Sequence, residues 1–298
     1  MGLFDKVKNL GKTANNDDSL SSITSEKAGE VIKKLSGKGS GFSKKLPDNL
    51  VVFTNAVGGA GASTIAVNVA YTANKMGLKV LVMDLNFLLP VQHIYFNIMQ
   101  EIEKPDIVGY LLGKNNLGSA IYQSNGMSVM FANNRGLMDY INCESDQAVD
   151  NFKKAIEGLR GLYDLIIIDS PMRVDNSICN YAMYLADQIY LVWDDGMSSI
   201  ANTEKIRRNM ASTGIEAYTK LKVIMNKRTN IQYSKYPFEK LNIEMLACLP
   251  FEQEVIASSL SSQIFCDKAA TNSKNASYFC GGIEELTKRI IKLGGYIE

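Results

Sequence analysis

Residues 50–64 read Leu50-Val-Val-Phe-Thr-Asn-Ala-Val-Gly-Gly-Ala-Gly-Ala-Ser-Thr64, and this stretch decides the fold. An apolar run enters a glycine-rich turn. Beyond the turn, Ile65, Val69, Ala73 and Met76 recur at helical spacing, and Gly77 supplies a C-cap. Strand, glycine turn and helix in that order form the context of a phosphate-binding loop, whose pattern is GxxxxGK[ST]. The position of the pattern's lysine is held by Ala62, directly before Ser63 and Thr64. The backbone cradle is present and its cation is missing. Two readings of the loop stand: an anion nest of backbone amides at a helix N-terminus, or a tight turn that holds no ligand.

Outward from the loop, strand and helix patterns alternate. Apolar strand-like runs lie at 50–54, 79–83, 127–131, 165–168, 188–192, 221–225 and 243–247. Helical spacing is found at 63–76, 146–159, 178–186, 199–210 and 283–293, with short helices around 94–99 and 107–112. Strands apolar on both faces and separated by helices predict an α/β fold with a doubly wound, mostly parallel sheet. The pattern runs over 47–298 as one domain. Residues 1–46 differ: they carry nine lysines against five acidic residues, and a Ser-Gly-Lys-Gly-Ser-Gly linker spans 36–41. Within them Leu3, Phe4, Val7 and Leu10 share one helical face opposite Lys6, Lys8 and Lys12. Such a segment, residues 1–12, either lies on an anionic membrane or partner, or is a frayed tail.

Composition excludes several classes. The net charge of +1 over 298 residues does not describe a strongly basic nucleic-acid binder. Lys205, Arg207 and Arg208 form a small basic group that reads as a solvated helix face. No apolar run approaches the roughly 18 residues needed to span a bilayer. Five cysteines without a CxxC pair and a single histidine, His93, indicate neither a zinc site nor a disulfide framework, and point to a reducing cytoplasm.

In doubly wound sheets ligands sit at the carboxyl ends of the strands. Around Gly58, Gly59, Ala60 and Gly61, successive amides and the following helix dipole favour an anion, and the Ser63 hydroxyl stands where a Mg2+ ligand belongs. Thr64 lies beside it, near an α-phosphate. Asp84 ends the second strand, about 20 residues after the loop, facing either Mg2+ and water or a ribose. Asp169 ends a wholly apolar strand, the pattern that holds the Mg2+ shell in phosphoryl-transfer sites. Asn226 ends another strand with an amide suited to adenine or to capping a turn. A dinucleotide-binding oxidoreductase is the other class the glycines permit, but the third glycine of GxGxxG is missing.

The order VGGAGAST, VLVMDLN, YDLIIIDSP, ADQIYLVW, VIMNKR and LPFEQEVIASS resembles the ParA/MinD-type deviant P-loop ATPases over about residues 49–295. The nearest subgroup looks like TadZ/CpaE, the pilus-assembly and localisation proteins of Flp/Tad secretion systems. Its members commonly carry a receiver-like N-terminal domain, where this chain has residues 1–46. The resemblance implies ATP or ADP with Mg2+ on residues 58–64, Asn226 at adenine, and Pro250 and Phe251 bordering the base. It implies Ser63, Asp169 and Asp84 around the metal, with Asp84 the one candidate for a catalytic part. It further implies a homodimer, pilus or secretion-system partners, and a cytoplasmic address at the membrane's inner face or the cell pole. Three family positions are altered. Val57 replaces a lysine that reaches the partner's phosphate, Ala62 one on the β- and γ-phosphates, and Asn86 a carboxylate that positions water.

A charged hydrogen bond to phosphate contributes roughly 1.5–3 kcal/mol, so one lost lysine weakens binding by about 10- to 100-fold. Cationic stabilisation of the transferring phosphoryl group is worth on the order of 10³–10⁵ in rate. The substitutions therefore cost catalysis more than binding. The expectation is a nucleotide-binding switch or scaffold with little or no hydrolysis.

Overall fold

Strand β1 (Leu50–Asn55) is apolar over its first four residues because both of its faces are covered. Leu50 and Val52 point into one core with Phe152 and Ile156, while Val51 and Phe53 point into a second with Ile65, Val69 and Ile283. This is the two-residue period of a strand sandwiched between helical layers. The computed structural model describes residues 48–98, 104–133, 137–172, 176–229, 241–268 and 274–295. The extension expected at 1–46 lies outside the described residues.

Seven further strands join β1: β2 (Val80–Asp84), β3 (Tyr122–Ser124), β4 (Met127–Met130), β5 (Leu165–Asp169), β6 (Gln188–Trp193), β7 (Leu221–Arg228) and β8 (Met245–Pro250). Their order is β3-β4-β2-β5-β1-β6-β7-β8, and only the β3–β4 pair is antiparallel. The helices are α1 (Ala62–Lys75), α2 (Gln92–Tyr95), α3 (Ile107–Leu111), α4 (Leu137–Asn142), α5 (Asp146–Arg160) and α6 (Ser177–Leu185). They continue with α7 (Met197–Ser212), α8 (Ala217–Lys220), α9 (Gln253–Leu260), α10 (Phe265–Lys268) and α11 (Lys274–Leu293). The doubly wound, mostly parallel sheet expected from the sequence is the observed fold. Helix α11 packs Ile283, Leu286, Ile290 and Ile291 into the core. No helix among the described residues is long and apolar enough to cross a membrane.

Several boundaries moved for identifiable reasons. β8 sits at 245–250 rather than 243–247, because its register is set by pairing with β7 and not by its own apolarity. α11 begins at Lys274, ahead of the expected 283. β3 was not expected, since its Tyr-Gln-Ser carries no apolar run; it forms as an edge strand completing the β4 hairpin. Cys266 and Cys280, unremarkable in sequence, are brought together with sulfurs 2.9 Å apart.

Local capping explains where α5 starts. Ser145 has extended backbone and its Oγ accepts the Ala148 amide at 3.3 Å. Ser145→Ala is expected to cost about 1 kcal/mol of stability, within the usual range of roughly 0.5–2 for a lost N-cap. Urea denaturation reads this as a lowered midpoint at unchanged slope.

The chain leaves β1 toward β2 and β4 on one side. It returns through β5, which pairs with β1, and continues to β6, β7 and β8 on the other. That reversal places the glycine turn after β1 at the crevice where doubly wound sheets take ligands. Asp84 and Asp169 end neighbouring strands and are in register with each other.

Candidate functional site

The loop between β1 and α1 requires its glycines. Gly59 and Gly61 have φ of 79° and 102°, a region that residues with a Cβ avoid. A Cβ on Gly61 would also stand 2.4 Å from Asn226 Nδ2. Asn226 donates that nitrogen to the Ala60 carbonyl at 2.8 Å, and Lys227 donates Nζ to the Gly59 carbonyl at 2.6 Å. The end of β7 therefore clamps the loop from outside. It does so through a bulge against β8, with Lys227 at φ 57°. Gly61→Ala is expected to lower stability by about 1–3 kcal/mol, the strain of a residue forced into that backbone region. Chemical denaturation measures it, and an unchanged midpoint would mean that the loop shifts without cost.

Gly61 is the N-cap of α1 and offers no side-chain acceptor. Ala62 N–H is taken by Asn55 Oδ1 at 2.9 Å. Among the described residues no protein acceptor takes the amide hydrogens of Gly61, Ser63 or Thr64. Those groups, with the positive end of a 14-residue helix behind them, are the donors that the anion-nest reading of the loop requires.

Beneath the loop, Ser63 and the Asp169 carboxylate line the same cavity, with the Ser63 hydroxyl near enough to favour the ionised carboxylate. Gln92 of α2 donates Nε2 to Asp169 Oδ2 at 2.8 Å and to the Ser63 carbonyl at 3.3 Å. Gln92 is fully buried and binds the loop to β5, yet nothing in its sequence context marked it. Asp84 accepts three backbone amides: Asn86 at 2.9 Å on Oδ1, and Val91 and Gln92 at 3.0 Å on Oδ2. It thereby holds the start of α2 in place.

Both carboxylates are buried on adjacent strands, and neither has an ion-pair partner among the described residues. Burial, followed by the neighbouring Asp169 charge, raises the Asp84 carboxyl from its ordinary value to about 7, against the pull of its three amide donors. Burial raises Asp169 too, opposed by the hydrogen bond from Gln92 and by the nearby Ser63 hydroxyl. A hydroxyl and a paired carboxylate are hard oxygen donors, and the charge they concentrate is what a divalent cation neutralises. No group of three or more His, Cys, Asp or Glu with metal-binding arrangement occurs among the described residues. Mg2+ here would draw its remaining ligands from water and phosphate, its usual habit. The donor set fits that ion.

Two cavities flank the loop. The larger, about 680 Å³, is lined by Gly58, Gly59, Ser63, Asn86 and Asp169, with Val57 at its edge. The smaller, about 310 Å³, is lined by Gly61, Ser63, Thr64, Asn226, Pro250 and Phe251. Thr64 Oγ1 is 2.8 Å from the Tyr95 hydroxyl. The sequence candidates thus line one cavity or the other, except Ala60 and Asp84, which are fully buried outside both linings, Asp84 with both oxygens taken by backbone amides. The basic group of α7 does not stay together. Arg207 is buried against the Leu241 carbonyl and the Tyr218 ring, Arg208 pairs with Glu204, and Lys205 lines the larger cavity.

Comparison with known proteins agrees with this geometry. The family described as AAA domain matches residues 48–223, over half of the chain. An ATP-binding protein of Methanocaldococcus jannaschii is 24% identical over 208 residues, covering 68% of this chain and 73% of that one. The septum site-determining protein MinD of Pyrococcus horikoshii OT3, solved with Mg-ADP, superposes with a TM-score of 0.66 at 19% identity, over 83% of this chain and 97% of its own. A ParA family ATPase from Chlorobium tepidum TLS gives 0.67 at 17% identity, over 81% and 99%.

Proposed function

The chain belongs to the AAA-domain family and has the MinD/ParA P-loop fold, and from that premise we propose that it binds ATP or ADP with Mg2+ in the crevice around residues 58–64 and hydrolyses it little or not at all. The observation that carries this reading is that Ser63 and Asp169 line one cavity directly below a loop in which the amides of Gly61, Ser63 and Thr64 have no acceptor among the described residues. In it, the amides of Gly61, Ser63 and Thr64 hold phosphate oxygens, while Gly58, Gly59 and Ala60 shape the turn. Ser63 and Asp169 hold the metal shell, and Asp84 braces it from β2. Asn226, Pro250 and Phe251 border the base. When bound, Mg2+ neutralises phosphate charge. The rest falls to the protein, and there Val57, Ala62 and Asn86 withhold the two cations and the carboxylate that turnover needs.

In the cell the protein would act as a localisation or assembly factor for a Flp/Tad-type pilus or secretion apparatus. It would work as a homodimer at the inner face of the membrane or the cell pole. Support for this comes from the GGAGAST form of the loop and the order of the strand-end motifs. Residues 1–12 would supply membrane contact. Deleting residues 1–46 should then abolish attachment to anionic vesicles in a flotation assay.

Calorimetry with MgATP and MgADP, together with a turnover assay, tests the site. Measurable affinity with background turnover is expected. Turnover stimulated by DNA would favour a slow partitioning ATPase instead. A second reading, a nucleotide-free scaffold, is favoured by one contact: Asn55 already occupies the Ala62 amide that would otherwise face phosphate. Absence of any nucleotide affinity would select it.

A further inference from the structure

We propose that Lys205 of α7 supplies the cation missing from the loop, contacting the terminal phosphate of a nucleoside triphosphate in the larger cavity. The inference rests on the nucleotide site proposed above and names the residue that distinguishes a triphosphate from a diphosphate.

The argument begins with the placement of α7. Asn202 donates Nδ2 to the Ala56 carbonyl at 3.2 Å, which ties the helix to the chain just before the glycines. Residues three, four and seven positions further along share that face. Lys205, Ile206 and Asn209 accordingly line the larger cavity together with Gly58 and Gly59. Their neighbours point elsewhere. Glu204 draws in Arg207 and Arg208, so the only carboxylate within one turn is engaged away from Lys205. Among the described residues Lys205 has no ion-pair or hydrogen-bond partner.

The charge arithmetic of the cavity favours the same role. Among the described residues its lining includes Asp169 and no basic residue other than Lys205. With the carboxylate covered by a divalent cation, Lys205 is the one cationic side chain of that lining among the described residues that can answer further negative charge. Its four-carbon stem lets the ammonium approach from the opposite wall without any change in the loop. The smaller cavity holds the proline loop and Asn226. A nucleotide with its base on that side extends its phosphates past Ser63 toward the larger one. The third phosphate travels furthest, so it is the one Lys205 meets.

Calorimetric titration of the full chain with MgATP and MgADP tests this, using Lys205→Ala, Lys205→Arg and Arg208→Ala. Lys205 is exposed, so its removal leaves the core intact, and circular dichroism checks the fold. Lys205→Ala should bind ATP about 5- to 10-fold more weakly, the low end for a charged contact because solvent screens it. ADP affinity should change less than about twofold on the same scale. Lys205→Arg should retain the ATP preference, and Arg208→Ala should match the parent. If the parent binds ATP and Lys205→Ala binds it equally well, or loses ATP and ADP alike, the assignment is overturned. If the parent binds neither nucleotide, the site reading itself falls, and the inference with it.

Discussion

Ala62→Lys is expected to tighten MgATP binding by about 10- to 100-fold while turnover stays at background. Residue 62 is the first of α1 and lines the smaller cavity beside Ser63 and Thr64. A lysine stem there runs from a buried Cβ along the cavity wall toward the phosphates, and its ammonium makes a charge-assisted contact worth roughly 1.5–3 kcal/mol. The backbone bond from residue 62 to Asn55 need not change, because the side chain leaves in another direction. Turnover does not follow affinity, since Val57 and Asn86 are untouched and the second cation and the water-positioning carboxylate remain missing. Calorimetry and a phosphate-release assay measure the two effects separately. Unaltered affinity would remove the loop as the phosphate site.

Asp169→Asn is expected to move stability and metal affinity in opposite directions. In the metal-free protein Asp84 and Asp169 are two buried carboxylates in register, each raised above its ordinary value mainly by burial. A carboxyl whose folded value is raised favours the folded state when protonated. Its contribution is fully present below the unfolded value of 3.8 and is lost as pH rises through the folded value of about 7 for Asp84. Stability of the metal-free protein should therefore decline across that window. Asparagine at 169 removes the second cause of the Asp84 shift and leaves burial, so the decline becomes shallower without vanishing. The variant should exceed the parent in urea midpoint at pH 8 by more than it does at pH 5. It keeps one oxygen for the Gln92 amide but loses the charge that holds Mg2+. Mg2+-dependent strengthening of nucleotide binding should then fall by about 10- to 100-fold. A variant as responsive to Mg2+ as the parent would take Asp169 out of the metal shell.

How much of this was legible beforehand differs from element to element. The strands ending in Asp84 and Asp169 could be read because a strand buried on both faces is apolar at every position, and a polar residue at its end stands out. Gln92 could not be read. It lies on a four-residue helix with no periodicity, and its importance comes only from standing between Ser63 and Asp169. Asn226 was legible as a polar strand end, but its hold on the Ala60 carbonyl depends on the β7 bulge. The basic group at Lys205, Arg207 and Arg208 shows the opposite failure. Nearness in sequence suggested one surface, and the helical turn of about 100° per residue sent the three charges to three surroundings.

Hydrophobic periodicity and backbone permissiveness are local properties, and the linear chain was enough to establish what depends on them. The alternating architecture, the glycine turn and the absence of lysine at position 62 are of this kind. Juxtaposition depends instead on strand order and register, which arise when segments far apart in sequence pack against each other. That packing alone pairs Asp84 with Asp169, brings Ser63 and Asp169 to one cavity, sets Cys266 beside Cys280 and places Lys205 in the same lining as the loop. Electrostatic character follows the same division: a carboxylate's charge is written in its residue type, but the burial that raises its proton affinity exists only in the assembled sheet.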